Sequence, residues 1–234
     1  MAEKVLIYGG TGGIGSAVAR KLHERGVDLH LAARGEESLE ALASELGAGF
    51  TAGDVTETGF FEKVSADAGE VLSGLVYAVG TINLRSFPRL TQDDYMQDFQ
   101  VNALGAALAV QAALPALKKA EKPASVVLFT SVAVLQGFTF HASVGMAKGA
   151  VMGLVHSLAA ELSPDVRVNA IAPSLVDTPL AERFFRNEKM IESLAGMHAM
   201  QRLGTPEDIA STADFLLSSE SGWITGQVLG VDGG

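Results

Sequence analysis

The chain of 234 residues contains no cysteine. A disulfide framework and a thiolate metal site are therefore both excluded. Cations are scarce too: 17 Lys and Arg stand against 27 Asp and Glu, for a formal net charge of -10. An extended nucleic-acid surface needs clustered Lys and Arg, so this balance argues against one, while a small anionic cofactor needs only local positive charge. Long apolar runs are few. MAEKVLIYGG offers only a few apolar residues before its glycines, too short for the apolar region of a signal peptide. The longest run, VNALGAALAVQAALPAL, lies near the lower limit for a membrane span and contains Asn102, Gln111 and Pro115. It reads as a buried helix. The expectation is a cytoplasmic protein that engages neither nucleic acid nor membrane. No internal repeat, low-complexity segment or Pro/Ser-rich linker interrupts the chain.

What is present is a globular balance with 26 glycines, many at strand-to-helix junctions. The length suits one large α/β domain with a well-buried core. Short β-rich runs alternate with longer helical patterns. The runs are KVLIY (4–8), DLHLAA (28–33), GFTAG (49–53), GLVYAV (74–79), SVVLFT (125–130), VRVNAIA (166–172) and QVLGV (227–231). Several are apolar on both faces, as parallel strands covered by helices on each side must be. Between them lie amphipathic segments such as GSAVARKLHERG and EESLEALASELG. The alternation predicts right-handed βαβ units in a single doubly wound, Rossmann-type parallel sheet spanning 1–234, with the irregular region 178–204 as its mobile part.

Three stretches carry chemistry. YGGTGGIG follows the first strand and opens a helix. Gly9, Gly13 and Gly15 let the backbone turn tightly, approach a pyrophosphate and pack the helix on the sheet. The helix N-terminus then presents N–H groups and a positive dipole end to the phosphates. At the end of the second strand, LAARGEE has Arg34 where an acidic residue would bind the ribose hydroxyls of NAD. A guanidinium there could pair with a 2′-phosphate, which favours NADP while leaving NAD possible. The other reading is an exposed Arg at the start of helix EESLEAL. After the third strand, Asp54 and Val55 could hold the adenine, or Asp54 could be only a helix cap.

The third stretch is the constellation Asn102, Ser131, Val144, Lys148. With the glycines and Asp54-Val55, with RVNAIAPSLVDTPL, and with the closing GTPEDIA and WITGQVLGVDGG, it resembles the short-chain dehydrogenase/reductase family over essentially the whole chain. The resemblance implies hydride transfer between a nicotinamide and a carbonyl or alcohol carbon. Ser131 would hydrogen-bond the substrate oxygen, Lys148 would hold the nicotinamide ribose, and Asn102 would support a water linked to that lysine. Thr11, Ile14, Gly80, Pro173, Val176 and Thr178 join the implied cofactor site. A homotetramer or homodimer is implied as well, pairing through helices 98–119 and 143–163. Ala103, Gly105, Ala106, Ala107 and Ala109 would either allow close helix approach at that seam or pack on the sheet. The segment TPLAERFFRNEKMIESLAGMHAMQRLG would form a lid. Phe184, Phe185, Met190, Met197 and Met200 would then wall a pocket for a small apolar or aromatic carbonyl or alcohol, or else pack a lid helix.

Two departures from the family stand out. Tyr77-Ala78-Val79-Gly80 replaces its Asn-Asn-Ala-Gly, and Val144 stands where its catalytic tyrosine would be, at the usual spacing from Ser131 and Lys148. In the family that tyrosine gives or takes the substrate's proton. Valine can neither donate nor accept one. Loss of a positioned acid–base group costs on the order of 10²–10⁴ in rate. His141, three residues earlier, could supply the proton, or could pack as a loop histidine against Phe138 or Phe140. Ser143 is expected to cap the helix with its hydroxyl. His156 lies about two helical turns past Lys148, roughly 12 Å away, and is discounted. Two functions follow: an oxidoreductase with a rebuilt proton relay, or a catalytically silent cofactor-binding protein serving as sensor or assembly subunit.

Overall fold

The structure, a computed structural model, describes residues 3–182 and 188–234. Phe184 and Phe185 lie outside the described residues. Seven parallel strands form the sheet: β1 (Lys4–Tyr8), β2 (Asp28–Ala33), β3 (Gly49–Ala52), β4 (Gly74–Tyr77), β5 (Ala124–Phe129), β6 (Val166–Pro173) and β7 (Val228–Val231). Their order is β3-β2-β1-β4-β5-β6-β7, so the direction of winding reverses between β1 and β4. In open α/β sheets ligands bind beyond the carboxyl ends of the strands at that reversal. The central strands are buried along nearly their whole length, as the unbroken apolar runs require.

Helices cover both faces and produce two apolar cores. On one side α1 (Gly13–Glu24), α2 (Glu36–Leu46) and α9 (Pro206–Leu217) pack Val18, Leu22, Leu39 and Ile209 against Val5, Ile7 and Leu31 of the sheet. On the other, α3 (Phe60–Ala68), α5 (Gly105–Leu117) and α7 (Ala142–Leu162) pack Val64, Val110 and Val155 against Leu6, Leu75 and Val126.

The helix expected over 98–119 begins earlier. α4 (Gln92–Phe99) opens on a capping box in which the Thr91 hydroxyl accepts from Asp94 N–H and the Asp94 carboxylate accepts from Thr91 N–H. A π-helical turn, Gln100–Leu104, joins it to α5. The continuous run Gln92–Leu117 is long and apolar enough to cross a membrane by length and composition, yet half of its most apolar window is buried inside the fold. Ala103, Gly105, Ala106 and Ala109 face inward, so they pack on the protein's own core and not along an outer seam. Leu104 and Leu108, by contrast, are exposed. The short helix α6 (Ala133–Gln136) precedes α7, and within 178–204 the described residues form α8 (Glu188–Ala195) followed by tight turns.

Candidate active site

The glycine-rich loop is shaped by two contacts that no side chain could share. Gly9 has φ +79°, and a Cβ there would lie 2.8 Å from the Ala78 carbonyl oxygen at the end of β4. Gly15, in the first turn of α1, faces the Gly9 carbonyl so closely that a Cβ would overlap it. Thr11 sits half-buried at the loop's tip. α1 begins after Gly12 with no side-chain cap and no acidic residue in its first turn, so its positive end is left unneutralised. Gly13 packs on the segment after β6: a Cβ would stand 2.7 Å from Thr178 Cγ2. This close backbone approach at an uncapped helix end fits the pyrophosphate of a dinucleotide.

Arg34 leaves the end of β2 with its side chain 82 % exposed and Nη1 3.9 Å from Asp54 Oδ2. Asp54 Oδ1 accepts from Thr56 Oγ1 at 2.7 Å and from Thr56 N at 2.8 Å, and these bonds, with the nearby Arg34 charge, hold its carboxyl below the usual range. The carboxylate therefore closes a local turn. It does not cap α3, whose N-cap is Gly59. Val55 packs on the α3/α5 core.

Ser131, His141, Val144 and Lys148 all border one cavity of about 540 Å³, together with Ile14, Gly80, Pro173, Val176 and Thr178. Ser131 Oγ accepts from Ala133 N–H at 3.2 Å, which leaves its own hydrogen for a ligand. Lys148 is tied to the end of β5 at both ends. Its Nζ donates to the Phe129 carbonyl at 3.0 Å, and its carbonyl accepts from Thr130 Oγ1, also at 3.0 Å. Burial lowers its pKa to about 8, against the opposing influence of the Asp98 charge.

Asn102 does not border the cavity but sits one layer behind it. It lies in the π-turn, a feature that recurs at functional sites. Its Nδ2 donates to Thr81 Oγ1 at 2.7 Å and to the Asp98 carbonyl at 2.8 Å, and its Oδ1 accepts from Thr81 N–H at 3.3 Å. A Cβ on Gly80 would lie 3.0 Å from Asn102 Oδ1 and 3.4 Å from Lys148 Nζ. Amide oxygen and ammonium thus flank one backbone point that carries no side chain. Behind them Asp98, which is 1 % exposed, accepts from Thr81 Oγ1 at 2.6 Å, while its Oδ2 has no partner among the described residues. The sequence does not disclose that buried carboxylate, since an acidic residue inside a polar helical segment reads as solvent-facing.

Two expectations around Val144 meet different fates. Ser143 does not cap α7. The helix already begins at Ala142, so Ser143 lies inside its first turn, fully buried, with its hydroxyl unpartnered among the described residues. His141 occupies the N-cap position. Its ring lies edge-on to Phe138 at 5.5 Å and its Nδ1 bonds the Thr139 carbonyl at 2.8 Å, so it packs as the loop histidine of the second reading while still bordering the cavity.

A polar pair that the sequence did not disclose also borders the cavity: Ser174 Oγ and His198 Nε2 stand 2.9 Å apart. The two residues are 24 positions apart, and only the return of the segment after α8 onto the end of β6 brings them together. The available signal was topological, since Ser174 follows the strand beside the one that delivers Ser131.

Similarity to known proteins extends over nearly the whole chain. A family model described as "Enoyl-(Acyl carrier protein) reductase" matches residues 9–234. The chain is 33 % identical over 243 residues to a 3-oxoacyl-[acyl-carrier-protein] reductase of Bos taurus, covering 100 % of this chain and 98 % of the other. It is 31 % identical over 254 residues to an L-2,3-butanediol dehydrogenase of Corynebacterium glutamicum, with the same coverage. A solved structure from Brucella melitensis, described as a short-chain dehydrogenase/reductase of the glucose/ribitol dehydrogenase type, superposes with a TM-score of 0.93 at 29 % identity, covering 99 % of this chain and 96 % of that one.

Proposed function

The chain belongs to the short-chain dehydrogenase/reductase family of nicotinamide-dependent oxidoreductases, and we propose that it interconverts a small carbonyl compound and its alcohol with NADP, through a proton relay that works without tyrosine. One observation carries this. Ser131 and Lys148 border the same cavity, each fixed by bonds to nearby backbone, although Val144 contributes no acid or base beside them. A nicotinamide dinucleotide, when bound, supplies or accepts the hydride. The hydroxyl of Ser131 orients the substrate oxygen, and the ammonium of Lys148 holds the ribose and stabilises negative charge developing nearby. The glycine loop and the open end of α1 take the pyrophosphate.

NADP is preferred to NAD because the exposed Arg34 guanidinium offers a bidentate partner for a 2′-phosphate, while the nearest carboxylate, Asp54, is already engaged by Thr56 and Arg34. Phe129, Phe138, Phe140, Leu180 and Met197 border the cavity and favour an apolar or aromatic substrate. A cytoplasmic homo-oligomer is part of the same proposal. A silent cofactor-binding protein is the second reading, and Val144 is the observation that favours it.

The deciding experiment follows oxidation of NADPH and NADH against a panel of aldehydes, ketones and quinones, with cofactor binding followed by fluorescence. Turnover with at least one carbonyl compound is expected, slower than in a tyrosine-bearing relative. Tight NADPH binding with no turnover across the panel would establish the silent reading instead.

A further inference from the structure

We propose that Ser174 and His198 are the acid–base pair of this cavity, taking the hydroxyl proton of an alcohol substrate and returning it in the reverse direction. The inference rests on the oxidoreductase reading above and names the groups that do what Val144 cannot.

The hydrogen-bond chemistry fixes the direction of the pair. His198 Nδ1 stands 2.9 Å from the Leu194 carbonyl, which can only accept, so Nδ1 carries a hydrogen. In the neutral ring Nε2 is then the acceptor, and the Ser174 hydroxyl donates to it across 2.9 Å. Ser174 is left with its oxygen lone pairs for the cavity and a base behind it. That is the order found in activated hydroxyls: an oxygen, a base within hydrogen-bond reach, and a third group that orients the base. His198 is 8 % exposed, so bulk water does not compete freely for the ring.

Position agrees with chemistry. β5 and β6 are paired neighbours with Phe129 opposite Ile171, and the pairing continues past the strand ends, where Val132 N–H donates to the Pro173 carbonyl at 3.2 Å. Ser131 and Ser174 therefore leave adjacent strands side by side, which lie about 4.8 Å apart, and both border the same cavity. Its other titratable groups among the described residues are His141, Lys148 and Asp232. The first is held to its own loop by the Thr139 carbonyl, the second is bound to the Phe129 carbonyl, and the third accepts from Gly234 N–H.

A purely mechanical role is the rival explanation, with the Ser174–His198 bond latching the segment after α8 onto the sheet. That segment is already held by backbone: Ala199 N–H donates to the Gly234 carbonyl at 3.0 Å and Met200 N–H to the Gly233 carbonyl at 2.9 Å. The side-chain bond is not its only anchor.

In the oxidation direction the alcohol O–H bond breaks, its proton passes to Ser174 Oγ, and the proton of Ser174 passes to His198 Nε2. A bound oxidised nicotinamide would accept the carbinol C–H hydrogen with both bonding electrons, leaving a carbonyl, and the imidazolium of His198 later releases one proton to solvent. Reduction reverses each transfer.

The test uses the full-length protein and the variants Ser174→Ala, His198→Gln and His198→Gly. Nitrogen-15 NMR of the wild-type imidazole should show Nδ1 protonated and Nε2 unprotonated, with the Nε2 signal moving in Ser174→Ala. NADPH binding should persist in all variants. Turnover in His198→Gln should fall by about 10²–10⁴, and added imidazoles should restore part of it in His198→Gly in step with their basicity, a dependence that no latch would produce. Wild-type turnover in both Ser174→Ala and His198→Gln overturns the inference and leaves the oxidoreductase reading standing. Loss of NADPH binding along with turnover, without imidazole rescue, makes the pair a latch and also overturns it. A wild-type protein that binds NADPH but turns over nothing overturns both.

Discussion

Arg34 extends into solvent at the end of β2, and among the described residues the carboxylate within ion-pair distance is the already bonded Asp54. Replacing it by Asp converts a phosphate-binding cation into a ribose-hydroxyl acceptor. Titration calorimetry should show the wild type binding NADPH more tightly than NADH, and Arg34→Asp reversing or abolishing that order; equal wild-type affinities would remove the case for NADP. Lys148 leads to a second expectation. Burial brings its pKa down to about 8, and the charge of Asp98 opposes that shift. Below about pH 8 the ammonium is present to hold the ribose, and above it the amine is neutral, so NADPH binding should weaken as pH rises through that value. Asp98→Asn removes a charge that favours the ammonium, so the midpoint should move to lower pH. A fluorescence titration of NADPH from about pH 6 to about pH 10 reads both curves, and an unchanged or raised midpoint in the variant would contradict the assignment.

Elements were far easier to locate from sequence than the polar partners behind the site. The seven strands lie within one or two residues of the apolar runs because burial on both faces leaves little choice of residue: β2 is DLHLAA as read, and β5 is displaced by a single residue. The start of α4 was missed because QDDYMQDF has no apolar stripe, and the Thr91 capping box sets its boundary. The glycine loop is legible from its strand-turn-helix setting, and Ser131 and Lys148 from their resemblance to the family's motif. Asp98, Ser174 and His198 were not, since their burial and pairing arise from packing between separate elements. The loop after β1 can be tested as an element. Gly15→Ala would drive a methyl group into the Gly9 carbonyl, forcing α1 away from β1. NADPH affinity should drop by about 10-fold or more, and stability by about 1–3 kcal/mol as in other overpacked sites. Calorimetry and thermal melts check both, and unaltered NADPH affinity would mean that the close approach has no part in binding.

At the scale of the whole molecule, apolar side chains remain exposed on helices that face away from the sheet. Met96 and Phe99 of α4, Leu108 of α5 and Met146 of α7 are each more than a third exposed, as is Leu104 in the π-turn. β7 is an edge strand of the sheet, and Trp223, which precedes it in the chain, is wholly exposed. A contiguous apolar surface on a folded chain marks an association site, and these side chains would supply one in the homodimer or homotetramer proposed above. Light scattering at micromolar concentration should give a multiple of 24.3 kDa. Leu104→Glu with Leu108→Glu should shift the mass towards a smaller species, whereas a monomeric wild type would exclude the assembly.

Catalysis without tyrosine is tested most directly by carbonyl reduction in the wild type and in Val144→Tyr, with NADPH and one accepted substrate. Ser131 and Lys148 still border the cavity that Val144 faces, so a phenol placed there would meet a hydroxyl and an ammonium able to lower its pKa. The expected result is slow wild-type turnover raised about 10-fold or more by the substitution. Turnover that the tyrosine fails to raise with any accepted substrate, while NADPH binding is retained, would contradict a working Ser131–Lys148 site.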